Sequence, residues 1–260
     1  VVHAYEVMIR VGRSLGPGHY GRWHNTATAG VFGAAAAAAH ALGLGPEAMV
    51  WALGNAGTQA AGLWQVRLEP VMSKQLHTGH AAWAGLCAAT LAQAGFTGPR
   101  FILEGEKGFY AALCPDPRTD RLLAADADWL IHGTSFKPWP ACRHTHAAID
   151  AALALRERLG DQVLEASEIE IAGFGDALRI CDRPVPRTRT EAKFSLQFAV
   201  AAALWHGPLL PAHFDETMLG DPRVLALAAR CRLRLDPALD HAYPARYGAE
   251  VRLDRADGRA

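Results

Sequence analysis

Residues 134–150 read TSFKPWPACRHTHAAID. Lys137 sits between Phe136 and the prolines Pro138 and Pro140, and Cys142, Arg143, His144 and His146 follow before an apolar stretch begins. Proline confines the residue before it to extended backbone, so Lys137 is held extended. Pro140 stiffens the next step, and Trp139 and Phe136 are expected to anchor the loop. A lysine held this way loses little freedom when it grips a ligand. The stretch reads as a packed loop, a metal site or half of an active site. Metal has little to carry it, because C-x-H-x-H is not a usual zinc spacing and no second ligand cluster accompanies it.

Two further stretches could do chemistry. SKQLHTGHAA places Lys74, His77 and His80 at i, i+3 and i+6. Lys74 and His77 share one face at the start of a helix, and His80 drifts round. A cation beside a titratable imidazole suits a carboxylate ligand and proton transfer near neutral pH. A solvated polar face is the plain alternative. GRWHNTATAG places His24 just before a helix, where backbone N–H groups and the helix dipole make an anion site. Its alternative is an ordinary capping loop with a half-buried histidine.

The basic residues are 22 arginines and four lysines, Lys74, Lys107, Lys137 and Lys193. Where arginine serves for most positive charge, a retained lysine marks a place suited to a compact charge, or chance. The P-loop, dinucleotide and GxSxG patterns are absent; GFGDAL lacks the full glycine fingerprint.

These residues need elements to position them, and the chain has two textures. Residues 1–134 read as small-residue helices packed in an all-helical domain. TATAGVFGAAAAAAHALG is expected to be capped by Thr26 or Thr28 and stopped by Gly43. Pro46 opens the next helix. A third has Ser73 as cap, Gly95 as end, and Gly79, Ala82, Gly85 and Ala89 as a close-packing stripe. Residues 135–260 read as a smaller α+β domain. There HAAIDAALALRERLG, TEAKFSLQFAVAAALWHG and DPRVLALAAR are helical, the last capped by Asp221. SEIEIAGFG, CRLRLD and AEVRLD alternate as strands, with Ile169 and Ile171 on one face.

The chain opens on VVHAYEVMIRVGRSLG, a helix already under way, and closes on Asp257-Gly258, a hairpin turn signal. A fragment cut at both ends is therefore expected. Acids and bases balance at 26 each, which gives no electrostatic case for nucleic acid or an anionic membrane. The alanine-rich run is too short and too weakly apolar to cross a bilayer. Five cysteines without a CxxC pair point to a reduced, cytoplasmic setting.

Six stretches, in chain order, are WHNTATAGVFGAAAAAA, ALGNAGTQAAGLWQ, SKQLHTGHAAWAG, GFTGPRFILEGEKGF, SFKPWPACRHTHAAIDA and EAKFSLQFAVAAAL. Together they resemble the MmgE/PrpD family of 2-methylcitrate dehydratases, cis-aconitate decarboxylases and iminodisuccinate epimerases. The resemblance implies a large all-helical domain, a smaller α+β lid, and an active site in the cleft between them. It implies chemistry on a di- or tricarboxylate without metal or cofactor, in a homodimer, with further site residues upstream of Val1.

Position by position, His24 falls on the histidine of the family's H-P-T/S loop, with Asn25 replacing the proline. Lys74 and His77 fall on the K-x-L-H helix start, and Lys137 on the lysine opening the lid motif. These four are the catalytic candidates. Cys142, Arg143, His144 and His146 are the substrate-binding candidates. Cys142 stands where decarboxylase-like members have histidine and dehydratase-like members an acid, and Phe198 replaces a tyrosine. Both departures set the chain apart from the best-known activities.

The implied reaction removes a proton from carbon beside a carboxylate, with Lys74 and Lys137 stabilising the carbanion-like state. Loss of hydroxide or carbon dioxide makes the enzyme a lyase; reprotonation on the other face makes it an epimerase of an amino-dicarboxylate. A non-catalytic, truncated binding module is the third reading.

Overall fold

A computed structural model describes residues 1–69 and 71–255. The chain divides into two compact units, Val1–Ser135 and Phe136–Ala260.

The first unit is built of α1 (Val2–Arg13), α2 (Pro17–Tyr20), α3 (Asn25–Thr28), α4 (Gly30–Ala41), α5 (Pro46–Gly57), α6 (Ser73–Gln93) and α7 (Phe109–Leu113). Alanine is the best helix former, and in α4 and α6 it also sets the spacing. Ala35 and Ala39 of α4 and Ala84, Ala88 and Ala89 of α6 are fully buried. A Cβ at Gly85 would lie 2.5 Å from Ala34 Cβ and 2.6 Å from Ala35 N, so the two backbones touch there. The packing stripe of α6 follows 81, 84, 85, 88, 89 and 92, the i, i+3, i+4 rule of one helix face. Gly79 and Ala82, expected on that stripe, are exposed.

The expected caps differ too. α3 starts from His24, and Thr28 is buried, with its Oγ1 2.9 Å from His19 Nε2. Ser73 is the first residue of α6 rather than its cap. Gly43 and Gly95, at φ +66° and +84°, supply the left-handed residue after a helix end. Arg10 donates to Ala124 O at 2.8 Å and Arg13 to Asp126 at 3.0 Å, strapping the segment after α7 onto α1.

The second unit contains α8 (His146–Leu159), β1 (Ala166–Gly173), α9 (Gly175–Cys181), α10 (Arg189–Ala192), α11 (Leu196–His206), α12 (Glu216–Leu219), α13 (Pro222–Ala228), β2 (Cys231–Leu235), α14 (Pro237–Ala242) and β3 (Ala249–Arg255). The sheet order is β2-β1-β3, with β1 parallel to β2 and antiparallel to β3. Ile169 and Ile171 of β1 are buried together, as the alternation requires. Asp221 caps α13, accepting from Arg223 N at 2.9 Å. The long helical stretch from Thr190 breaks in two, because the Ser195 hydroxyl accepts from Phe198 N at 3.0 Å and starts α11 anew. The turn signal at Asp257-Gly258 lies outside the described residues.

Candidate active site

In the first unit, two short segments run antiparallel and hold His24. Trp23 bridges Leu63, His24 N donates to Gly62 O at 2.9 Å, and Trp64 N donates to Arg22 O at 3.0 Å. Gly62 has φ +129°, and a Cβ there would lie 2.7 Å from Ala27 Cβ and 3.4 Å from the His77 ring. Glycine alone takes this conformation readily, and its missing side chain leaves room for the imidazole.

His24 is only 7% exposed, and its Nδ1 lies 3.1 Å from Nδ1 of His77. One ring must donate an Nδ1–H there and the other accept, so the neutral pair carries opposite tautomers. Trp64 lies against His24 at 4.3 Å between centroids, and the Arg67 guanidinium sits 4.7 Å over Trp64. Burial, followed by the positive charge of Lys74 and then by His77 and Arg67, pushes His24 down to about 4. Burial first, then Lys74 and His80, also lowers His77. The pair is therefore a neutral, base-competent couple near pH 7.

His77 and His80, with Trp23, Leu63 and Leu76, line a cavity of about 460 Å³, within the range of small-molecule sites. Asn25 Oδ1 and Trp64 Nε1 are buried and have no hydrogen-bond partner among the described residues. α3, which starts after His24, has four residues, and His24 O accepts from the amides of Ala27 and Thr28. Lys74 and Arg67 add positive potential beside His24.

In the second unit, Lys137 is exposed and its Nζ donates to Ala141 O at 3.4 Å. His146 Nε2 reaches the same carbonyl at 3.4 Å. His146 is 1% exposed, and its position at the base of α8 is that of a packed residue. Trp139 anchors the loop through Nε1 to Asp150 at 2.7 Å, whereas Phe136 is 95% exposed and anchors nothing. Arg143 lies 5.1 Å over the Tyr247 ring. Cys142 Sγ sits 3.3 Å from His144 Nδ1. A hydrogen bond from Cys181, assisted by one from His144 and its charge, holds the Cys142 thiol well below its usual range despite burial.

The structure thus joins His24, His77 and Lys74 in one unit, and Lys137 with His146 and Cys142 with His144 in the other. Sequence reasoning missed Gly62, Trp64, Arg67 and Cys181. The run GLWQVR follows a helix with no periodic pattern of its own, so no signal set those residues apart. Cys181 lies too far along the chain from Cys142 for spacing to link them. Among the described residues, no group of three or more His, Cys, Asp or Glu is placed to hold a metal ion. No helix among them is long and apolar enough to cross a membrane.

Residues 1–122 match the MmgE/PrpD N-terminal domain and residues 139–260 the MmgE/PrpD C-terminal domain. The chain belongs to the MmgE/PrpD family. Among its curated relatives is a cis-aconitate decarboxylase of Homo sapiens, 31% identical over 228 residues, covering 83% of this chain and 46% of that protein. The Mus musculus cis-aconitate decarboxylase is 31% identical over 256 residues, covering 91% and 49%. A 2-methylcitrate dehydratase of Cupriavidus necator is 31% identical over 109 residues, covering 40% and 22%. This MmgE/PrpD chain spans about half the length of the decarboxylases it matches. Decarboxylases and dehydratases are both lyases by reaction class. The mostly helical first unit and the three-stranded mixed sheet of the second are the fold of its two family domains.

Proposed function

We propose that this chain is part of a lyase that removes a proton from carbon beside a carboxylate of a di- or tricarboxylic acid, without metal or cofactor. The observation that carries the reading is the neutral His24–His77 couple next to Lys74. A base must be unprotonated at working pH and within reach of its substrate. His77 lines the cavity and is the group that takes the proton. Buried His24 fixes its tautomer through the Nδ1 contact and shares the proton after transfer. Lys74 and Lys137 are the cations for the carboxylate oxygens, with Arg143 a further candidate. Their charge stabilises the carbanion-like state as negative charge develops. The relatives' names support the substrate class and both lyase outcomes.

The reading extends to a homodimer, on the family resemblance, and to the cytoplasm, on the five thiols. The test is thermal stability of the full-length protein with 2-methylcitrate, citrate, cis-aconitate and iminodisuccinate. A bound acid at a hundred times its Kd stabilises by about 2.7 kcal/mol. One acid should raise the melting temperature clearly, and product analysis should then find a lost water or carbon dioxide. A product with all atoms retained and one centre inverted would replace the lyase with an epimerase. No shift with any acid would sink the carboxylate assignment.

A further inference from the structure

Cys142 and Cys181 take no part in the proton chemistry proposed above, yet the fold brings them together. Cys142 N donates to Lys193 O at 2.8 Å, fixing the loop before α8. Cys181 ends α9, and the two residues after it are held by α11. There Gln197 Nε2 donates to Asp182 at 2.7 Å, and Ser195 Oγ to Arg183 O at 2.6 Å. α9, which ends at Cys181, packs on the turn Arg143–Thr145 that follows Cys142, and the Cys181 thiol interacts with Cys142 there.

His144, 3.3 Å from the Cys142 sulfur, sits among aromatic rings. Phe174, Tyr243 and Tyr247 lie 5.6, 6.2 and 5.7 Å from it between centroids. Its Nε2 is buried without a partner among the described residues. Asp176 accepts from Tyr243 OH at 3.2 Å beside the same rings. Around Cys142, Cys181 and His144 both favour its thiolate. Cys142 is partly exposed and Cys181 is fully buried. A small oxidant reaches the first, and the second has a sulfur beside it to attack. Cys231 provides the contrast: burial pushes its thiol up to about 12.

We propose that Cys142 and Cys181 are a peroxide-reactive dithiol that closes to a reversible disulfide, with His144 as its positioning residue. The Cys142 thiolate attacks the terminal oxygen of a hydroperoxide. An S–O bond forms, the O–O bond breaks, and the alkoxide or hydroxide leaves and takes a proton from solvent. Cys142, now a sulfenic acid, has lost two electrons to the peroxide. Cys181 sulfur then attacks Cys142 sulfur; the S–S bond forms, the S–O bond breaks, and the Cys181 proton leaves with the hydroxide as water. A dithiol reductant reverses the step by exchange.

The test uses the full-length protein and hydrogen peroxide, with non-reducing peptide mapping by mass spectrometry. The expected result is a Cys142–Cys181 linked peptide that dithiothreitol removes. Cys181→Ser should abolish the link and leave Cys142 as a sulfenic acid that dimedone traps. Should that variant not fold, the wild-type map decides alone. Iodoacetamide labelling of Cys142 should change less than about twofold between pH 6 and 8. An ordinary free thiol added to the same tube gains roughly a hundredfold over that range. Unmodified Cys142 at a dose that oxidises Cys87, or a link from Cys142 to any other cysteine, overturns the proposal. So does labelling of Cys142 that climbs with pH as the free thiol does.

Discussion

The buried imidazole His24 should titrate far below solution histidine, and the protein should lose stability in acid because of it. The unfolded chain takes up this proton near pH 6.5 and the folded protein only near 4. Between those values the unfolded state holds more protons, so stability falls as pH drops. Above pH 6.5 neither state is protonated there and the group contributes no slope. At about 1.36 kcal/mol per pH unit, the loss reaches roughly 2 to 3 kcal/mol by pH 4.5.

Carboxylates also titrate in this window, so the measurement is a difference. Urea unfolding at pH 7 and pH 4.5 should show His24→Gln losing roughly 2 kcal/mol less than the wild type. The His24 ring proton, followed by NMR, should show its midpoint near 4. Lys74→Met should raise that midpoint, because Lys74 is the second cause of the shift. The midpoint should still stay below 6.5, since burial is the first. A wild-type midpoint at or above 6.5, or no response to Lys74→Met, would refute the arrangement of the couple and the proton transfer built on it.

Lys137→Ala in the full-length enzyme should lower turnover by about 10² to 10³, the usual loss for one well-placed charge-stabilising donor; wild-type kinetics would remove Lys137 from the site. Gly62→Ala forces a side chain into a left-handed position against Ala27 and His77. It should cost about 1 to 3 kcal/mol, read by urea unfolding, and should shift the His77 ring resonances. Asp221→Ala removes the α13 cap and should cost about 1 kcal/mol. Arg223 beside Asp221 holds its carboxyl at about 2, so the wild type should keep most of that advantage at pH 4 and lose it progressively as pH falls from there to about 2. Equal stability of the two proteins at pH 7 would rule the cap out.

Much of this was legible in the sequence for simple reasons. Alternation fixed β1, and Asp221-Pro222 fixed the start of α13, because short-range physics decides both. Lys74 and His77 share a helix face by spacing alone. The cap at Ser73 and the stripe through Gly79 failed because tertiary contacts choose among faces that the sequence leaves equivalent. His24 meets His77 across a loop whose path depends on the positive φ of Gly62. Arg67 reaches His24 by stacking over Trp64, and Cys142 finds Cys181 through packing of α9 on the turn before α8. Contacts of that range have no local signature.

The sheet order carries a consequence for how the second unit is made. β1 is central and buries Ile169 and Ile171, while its neighbours carry exposed charge: Arg232 and Arg234 on β2, and Arg252 on β3. β1 leaves the ribosome about 60 residues before its parallel partner and about 80 before its antiparallel one, so pairing waits on closure of long loops. Until then Ile169 and Ile171 offer two open edges, the template on which other chains add strands. The charged outer strands are what the finished sheet shows to its surroundings. A chain interrupted before Ala249 would keep one edge of β1 uncovered and should aggregate where the longer chain does not.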